Sequence, residues 1–236
     1  MRNVAVVQAR MGSTRLPGKV LLQIGSRTTL GHLIERLRRS KSIDQILIAT
    51  TTHNSDDEIV DFAKSNGVEI LRGSEQNVLS RYVEAAKKME ASNILRITAD
   101  CPFIDPELID DLFSMFITED LDHCGIASGA GVNNPNILRF PHGMDSEWIK
   151  SNALYEAYKK SQDAFDLEHV TPYIWKNRDK FRTGIMQAPE DFGDVRVTLD
   201  TPEDFSALRA LAEKLATTIE IIGYKELSNE YRDMFK

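Results

Sequence analysis

Short apolar, β-branched runs alternate with amphipathic stretches along most of this chain, and this alternation limits its fold more than any other feature. In the first half, stretches of helical periodicity follow four such runs: Val4–Val7, Gln45–Thr50, Val68–Leu71 and Ile94–Thr98. Strands that alternate with helices form a mainly parallel sheet covered on both faces. The sequence therefore predicts a three-layer α/β fold, in which ligands bind outside the carboxyl ends of the strands.

Helical periodicity and capping residues predict the other elements. The first half is expected to contain the helices Leu30–Arg39, Asp56–Ser65, Asn77–Met89 and one that opens at Asp105-Pro106. The second half is expected to contain the helices Ser151–Lys160 and Leu167–Asn177, a strand at Asp194–Leu199, a helix with a capping box at Thr201, and a short strand and closing helix beyond Ile219.

From residue 125 to residue 150 the alternation breaks. Glycine, asparagine and proline make this a turn-rich inserted segment, with predicted hairpin strands such as Asn136–Phe140. No linker, repeat or low-complexity tract divides the sequence. Residues 1–236 are therefore predicted to form a single domain, and the segment 125–150 is a candidate dimer or acceptor element.

Charge and cysteine usage narrow the possible functions. The net charge of −7 argues against a general nucleic-acid binder, which normally carries a basic field. Cys101 and Cys124 lack metal-ligand spacing and are typical of reduced cytosolic thiols. The N-terminal apolar run Val4–Val7 is too short for a signal peptide or a membrane span. We expect a cytoplasmic protein with no nucleic-acid or membrane partner.

The segment from Gln8 to Lys19, directly after the first predicted strand, carries two glycines, two hydroxyls and three cations. Phosphate binding needs backbone N–H groups that can approach an anion, together with fixed positive charge. This is not a Walker A loop, because five residues separate Gly12 from Gly18 and Val20 stands where the Mg²⁺-binding hydroxyl would be. A solvated surface loop is the alternative, but the density of these parts favours a phosphate site.

Two aspartates, Asp100 and Asp200, each follow an apolar predicted strand and precede a proline by two positions. Either one alone could simply cap a turn or a helix. Together, however, two strand-end carboxylates can share one Mg²⁺ ion, which keeps several waters and binds substrate phosphates. The pair therefore predicts a magnesium site at the carboxyl edge of the sheet.

These segments and three others resemble cytidylyltransferases that activate acidic sugars such as KDO and sialic acid, most closely the branch typified by the spore coat polysaccharide biosynthesis protein SpsF. The motifs are QARMGSTRLPGKVL, LRGSEQNVLSRY, RITADCP, FPHGMDSE, EHVTPYI and TLDTPEDF. The resemblance implies a Rossmann-like three-layer sandwich with a mainly parallel mixed sheet, of the GT-A-like nucleotide-diphospho-sugar transferase type. It also implies CTP as donor, pyrophosphate as product and commonly a homodimer.

The same resemblance implies roles for particular residues. Asp100 and Asp200 would bind Mg²⁺, and Arg15 and Lys19 would be the catalytic cations at the triphosphate. The nucleotide pocket would be lined by Gln8, Ala9, Arg10, Gly12, Ser13, Arg72 and Gly73. The KDO enzymes carry Gln-Gly-Asp where this chain has Thr-Ala-Asp ending at Asp100, so their acceptor does not transfer directly to this chain.

Candidates for binding a small anionic acceptor lie mainly in the second half. His142, Asp145, Glu147 and His169 can hydrogen-bond sugar hydroxyls, although they could equally be hinge or dimer-contact residues. Arg96 is a cation inside an apolar strand and must have a partner, either an acceptor carboxylate or a structural acid.

The function expected from these features is Mg²⁺-dependent transfer of CMP from CTP to a small acidic acceptor. One alternative is a GT-A glycosyltransferase that uses a nucleotide sugar, but such enzymes usually hold their metal with a DxD pair, and the residue two positions after Asp100 is a proline. A non-catalytic nucleotide-binding module is another alternative. Such a module would be expected to have lost some of its charged site residues, but this chain has all four: Arg15, Lys19, Asp100 and Asp200. A uridylyl- or guanylyltransferase of the same fold stays open.

Overall fold

A computed structural model describes residues 1–128 and 136–236. Its strands are β1 (Asn3–Gln8), β2 (Gln23–Ile24), β3 (Arg27–Thr28), β4 (Gln45–Thr51), β5 (Glu69–Gly73), β6 (Asn93–Thr98), β7 (His123–Ile126), β8 (Glu147–Lys150) and β9 (Thr183–Met186). Seven of them form the main sheet in the order β5-β4-β1-β6-β8-β7-β9, and a two-stranded ribbon, β2-β3, lies apart from it. Only β8 runs antiparallel to its neighbours in the main sheet, so the predicted mainly parallel mixed sheet is confirmed.

Helices cover both faces of this sheet. They are α1 (Thr29–Leu37), α2 (Asp57–Ser65), α3 (Val78–Lys88), α4 (Pro106–Thr118), α5 (Ser151–Lys160), α6 (Ala164–His169), α7 (Pro172–Lys176), α8 (Pro202–Lys214) and α9 (Tyr224–Phe235). Alternate residues of β1 enter opposite apolar clusters: Val4 and Val6 pack with α3 and α5, whereas Ala5 and Val7 pack with α1, α4 and α8. Burial on both faces explains the continuous apolar run of the first strand.

The predicted strand Asp194–Leu199 is wrong, because this stretch is extended but forms only an isolated bridge between Arg196 and His142. Its apolar residues Val195, Val197 and Leu199 are buried, which explains the strand-like pattern. The predicted hairpin strand Asn136–Phe140 is also wrong. Two irregular segments lie side by side here, so neither gains a full ladder of hydrogen bonds. Residues 129–135 of the inserted segment lie outside the described part of the chain.

The predicted helix Leu167–Asn177 is divided into α6 and α7. Pro172 has no N–H group to donate to the carbonyl four positions earlier, so an unbroken helix cannot run through it. Between the two helices Val170 has a positive φ of 73°, and the Thr171 N–H donates to the His169 carbonyl at 2.9 Å. Beyond Ile219 a turn replaces the predicted short strand, whereas the closing helix is present as α9.

Arg36 of α1 connects the C-terminal segment to the core through hydrogen bonds to backbone carbonyls. Its guanidinium is fully buried and donates to the carbonyls of Ile104, Ile219 and Ile222, the last two at 2.6 and 2.8 Å. Burial lowers the pKa of Arg36 to about 10, so the group remains charged at neutral pH. One cation thus satisfies three backbone acceptors on two separate segments.

We expect Arg36→Met to lower the free energy of unfolding by about 3 kcal/mol, because it leaves buried carbonyls without a donor. Urea titration of the variant and the wild type measures this difference. An unchanged midpoint would show that solvent or other donors replace the guanidinium.

Candidate active site

The loop that follows β1 folds back on itself over the carboxyl end of that strand. The carbonyl of Met11 accepts hydrogen bonds from the N–H groups of Ser13 and Gly18, at 2.9 and 3.0 Å. Gly18 has a φ of 70°, a left-handed conformation that favours glycine. A short 3-10 turn, Lys19–Leu21, then begins directly and fixes where the Lys19 side chain starts.

Asp56, in the connection between β4 and α2, holds this loop in place through hydrogen bonds. One carboxylate oxygen accepts from the Met11 N–H at 2.8 Å, and the other accepts from the Thr50 hydroxyl at 3.1 Å and from Thr51. Burial opposes ionisation of Asp56, but these hydrogen bonds outweigh it and lower its pKa. The sequence marks Asp56 only as the start of a predicted helix, because its bond to Met11 joins residues 45 positions apart.

Lys19 brings the two strand-end aspartates together. Its ammonium nitrogen lies 2.8 Å from Asp100 Oδ2 and 2.9 Å from Asp200 Oδ1. Arg15 Nη2 approaches the same Asp200 oxygen at 3.2 Å. Burial opposes the charge on Lys19, but the two carboxylates outweigh burial and raise its pKa. The loop and the two acids therefore meet at one point, although 81 and 181 positions separate Lys19 from the aspartates.

A cavity of about 280 Å³ opens beside this cluster. Most of the residues predicted for catalysis, nucleotide binding and metal binding line it: Gln8, Arg10, Gly12, Ser13, Arg15, Lys19, Asp100 and Asp200. Thr14, Val20, Thr98 and Ala99 complete the lining. The pocket at the carboxyl edge of the sheet is thus polar, and its lining carries both positively and negatively charged side chains.

Three of the predicted nucleotide-binding residues do not line this cavity. Ala9 is buried, and its N–H donates to the Ala49 carbonyl at 3.2 Å. Arg72 points toward α2, where it binds Asp57 at 2.6 Å and two backbone carbonyls. Gly73 lies against the buried side chain of Arg81, whose Cγ would be 2.8 Å from a Cβ at position 73.

Two predicted acceptor-binding residues, Arg96 and Glu147, bind each other. Arg96 Nη1 lies 2.8 Å from Glu147 Oε2, and the other Glu147 oxygen contacts His123 at 3.1 Å and the Thr171 hydroxyl at 3.0 Å. The sequence left two possible partners for Arg96, an acceptor carboxylate or a structural acid. The structure shows the structural acid, Glu147. Neither residue is part of the cavity lining. Burial opposes the charge of Glu147, but Arg96 and His123 outweigh it and lower its pKa from 4.5 to about 2.

This depressed pKa gives a pH-dependent contribution to stability. It is fully present above the unfolded-state pKa of 4.5 and is lost as the pH falls through about 2. We expect the wild type to lose up to about 3 kcal/mol more than Glu147→Gln between pH 5 and pH 2. Urea unfolding at a series of pH values measures this, and parallel pH profiles of the two proteins would contradict it.

The other acceptor candidates also lie outside the cavity lining. Asp145 accepts hydrogen bonds from the Ser128 hydroxyl and from the Gly143 N–H. His142 forms the backbone bridge to Arg196, and His169 is exposed with its ring 4.4 Å from that of Phe165. Within the described residues none of these three side chains hydrogen-bonds Lys19, Asp100 or Asp200, although the bridge joins His142 to Arg196, whose side chain binds Asp200.

Arg196 and Asp204 were not predicted from the sequence as residues of this site. Arg196 donates to Asp200 Oδ2 at 2.7 Å and to Asp204 Oδ1 at 2.9 Å. Asp204 also accepts from the Asp200 N–H at 2.8 Å and forms the predicted capping box of α8 with Thr201. The capping pattern was visible in the sequence, but it did not show that the same carboxylate holds Asp200 in place.

In the described ranges 1–128 and 136–236, no three or more His, Cys, Asp or Glu side chains are grouped so as to hold a metal ion. Asp100 and Asp200 are the predicted metal ligands, and they converge as a pair on the Lys19 ammonium. Among the helices of these same ranges, none has the length and apolar character needed to cross a membrane.

Comparison with known proteins places this geometry in a family. The spore coat polysaccharide biosynthesis protein SpsF of Bacillus subtilis is 36% identical over 89% of this chain and 85% of its own length. A cytidylyltransferase structure from Leptospira borgpetersenii superposes with a TM-score of 0.89 at 31% identity, covering 99% of this chain and 95% of that one. A CMP-KDO synthetase structure complexed with CTP shares the fold, with a TM-score of 0.66 at 19% identity over 91% of this chain and 99% of that one. A family model described as cytidylyltransferase matches residues 4–227, and the chain therefore belongs to the cytidylyltransferase family of nucleotidyltransferases.

Proposed function

We propose that this enzyme transfers CMP from CTP to a small acidic acceptor, a sugar acid destined for surface polysaccharide or other glycans, and releases pyrophosphate. The observation that carries the proposal is the convergence of Lys19, Asp100 and Asp200 beside the cavity. The names of two relatives support it, since one is a polysaccharide biosynthesis protein and the other a sugar-acid synthetase complexed with CTP. Action in the cytoplasm as a homodimer is part of the same proposal.

The loop supplies the groups that a triphosphate needs. The backbone N–H groups of Gly12, Thr14 and Arg15 make no hydrogen bond within the described part of the chain, so they are free to bind phosphate oxygens. The Arg15 side chain is 63% exposed at the rim, whereas only 13% of the Lys19 side chain is exposed. Arg15 can therefore move onto an incoming phosphate, while Lys19 provides a fixed charge inside the cavity.

Asp100 and Asp200 fit a hard divalent cation. Their carboxylate oxygens converge on a single position, that of the Lys19 nitrogen, which shows that the two acids can share one positive charge. Asp100 and Asp200 would hold a Mg²⁺ ion, because carboxylate oxygens are ligands that this hard cation prefers. When bound, such an ion neutralises charge on the phosphate oxygens.

The reaction joins an acceptor oxygen to the α-phosphorus and breaks the bond to the leaving pyrophosphate, with the two oxygens in line. The chain's part is mostly positioning and charge neutralisation, as in phosphoryl transfer generally. Arg15 and Lys19 stabilise the negative charge that develops on the leaving pyrophosphate. Asp56 and Gly18 keep the loop in the shape that presents its N–H groups.

A pyrophosphate-release screen tests the proposal. Four nucleoside triphosphates are each combined with a panel of sugar acids and sugar phosphates in the presence of Mg²⁺. We expect release with CTP and a sugar acid, and none without an acceptor. Release with a different triphosphate would move the donor assignment to a uridylyl- or guanylyltransferase. Transfer from a nucleotide sugar without pyrophosphate would favour the glycosyltransferase alternative.

A further inference from the structure

Two arginines in the part of the chain that the structure describes are almost completely buried, and they differ in their hydrogen bonding. Arg36 is 0% exposed and donates to three carbonyls, whereas Arg81 of α3 is 1% exposed, with its Nε and Nη1 atoms buried and without a partner. No side-chain hydrogen bond or ion pair of Arg81 exists within the described ranges of the chain. Buried polar groups almost always have partners, so an unpaired guanidinium requires an explanation.

Arg81 lies against Gly73 at the end of β5 and is not itself part of the cavity lining, but it lies on the same side of the sheet as one lining residue, Gln8. Val4 and Val6 of β1 share an apolar cluster with Tyr82, the neighbour of Arg81, and Gln8 continues the same alternation at the end of the strand. Gln8 therefore lies on the α3 side of the sheet, where it lines the cavity, and its Oε1 is also buried without a partner. Gln8 of β1 and Arg81 of α3 thus both carry buried polar atoms without a partner among the described residues, on the α3 side of the sheet.

The surrounding charges also connect Arg81 with the cavity wall. Burial lowers the pKa of Arg81, the nearby charge of Arg10 lowers it further, and Asp56 and Glu75 act in the opposite direction. Arg10 lines the cavity and is paired with Glu75 at 3.5 Å. None of these carboxylates binds Arg81 within the described residues, so the guanidinium lies near Arg10 without a protein acceptor.

Gly73 permits this arrangement. A Cβ at position 73 would lie 2.8 Å from Arg81 Cγ, which is closer than real contacts allow. Its absence lets the stem of Arg81 pass close to the end of β5.

The missing partner must be an acceptor, because a guanidinium has only donors and stays protonated. The proposed function assigns Arg15, Lys19 and the loop N–H groups to the triphosphate. The nucleoside is therefore expected at the end of the cavity formed by Gln8 and Arg10. Cytosine presents two neighbouring acceptors, O2 and N3, whereas uracil presents an N3–H donor. The amide of Gln8 can turn to donate or accept, but Arg81 can only donate.

We infer that Arg81 is a specificity-determining residue that binds the O2 and N3 acceptors of cytosine and excludes uracil. The inference rests on the proposed function and assigns to one side chain the choice of CTP over UTP. An unpaired buried charge reduces the stability of the free protein, and the bound base supplies its partner.

Calorimetric titration of CMP and UMP into the wild type, Arg81→Met and Arg36→Met tests this, because it needs neither an acceptor nor turnover. We expect the wild type to bind CMP more tightly than UMP. In Arg81→Met we expect the CMP-to-UMP affinity ratio to fall by about tenfold or more, the usual range for a base-specific contact, while Tm is unchanged or raised. Arg36→Met, the matched buried arginine, should lower Tm and keep the ratio.

Gly73→Ala provides a second variant that leaves the charge in place. Its Cβ should displace the Arg81 stem, so the CMP-to-UMP ratio should fall in the same direction. An unchanged ratio in Arg81→Met, or an equal loss of affinity for CMP and UMP, would overturn the inference and leave the proposed function intact. A wild type that binds CMP no better than UMP would overturn both.

Discussion

Lys19→Ala is expected to reduce the rate of pyrophosphate release by a factor on the order of 10²–10³, the usual cost of removing one preorganised charge from an active site. Lys19 is the single cation that contacts both Asp100 and Asp200, at 2.8 and 2.9 Å. Its loss removes positive charge from the leaving group and leaves the two carboxylates facing each other. Steady-state kinetics with saturating CTP and Mg²⁺ measure the effect.

Lys64→Ala is the matched control, because Lys64 lies on α2 with its side chain 69% exposed and only a 3.8 Å contact to Asp61. We expect it to retain wild-type turnover. A rate for Lys19→Ala within a few-fold of the control, with the variant folded by circular dichroism, would remove Lys19 from the catalytic machinery.

Asp100→Ala is expected to lower turnover by a similar factor, on the order of 10²–10³, and to raise the Mg²⁺ concentration needed for half-maximal activity. Under the proposed function this carboxylate would supply Mg²⁺ with ligand oxygens that phosphate and water alone do not replace. Asp100 is a cleaner target than Asp200, because Asp200 also contacts Arg15 and Arg196, so its removal would displace two further cations. A Mg²⁺ titration of pyrophosphate release gives both quantities.

The control here is Asp61→Ala, an aspartate on α2 with a 78% exposed side chain. It should leave both turnover and the Mg²⁺ requirement unchanged. Reduced turnover of Asp100→Ala at an unchanged Mg²⁺ requirement would contradict the metal assignment and leave Asp100 with the task of holding Lys19.

Elements whose ends carry local signals were predicted well. The helix that opens at Asp105-Pro106 begins at Pro106, and Asp105 caps it with a bond of 2.9 Å to the Glu107 N–H. Asn66 and Gly67 close α2, the latter with a φ of 62°. These signals act within a few residues, so they can be read directly from the sequence.

Elements that depend on a distant partner were predicted less well. Val195, Val197 and Leu199 are buried like strand residues, yet their neighbour is the irregular segment around His142, and the two share one bridge. An alternating pattern predicts an extended backbone with one buried face. It does not state whether another strand lies beside it.

The sequence by itself determined the layered α/β architecture and the chemical parts of the candidate site, because periodicity, caps and the cation-rich loop are local properties of the chain. Only the tertiary structure decided which parts meet: that Lys19 is shared by Asp100 and Asp200, that Arg96 is neutralised by Glu147, and that Nε and Nη1 of Arg81 have no partner among the described residues. The physical reason is distance along the chain. Contacts between residues 51 to 181 positions apart depend on how the layers pack, and no local preference encodes that packing.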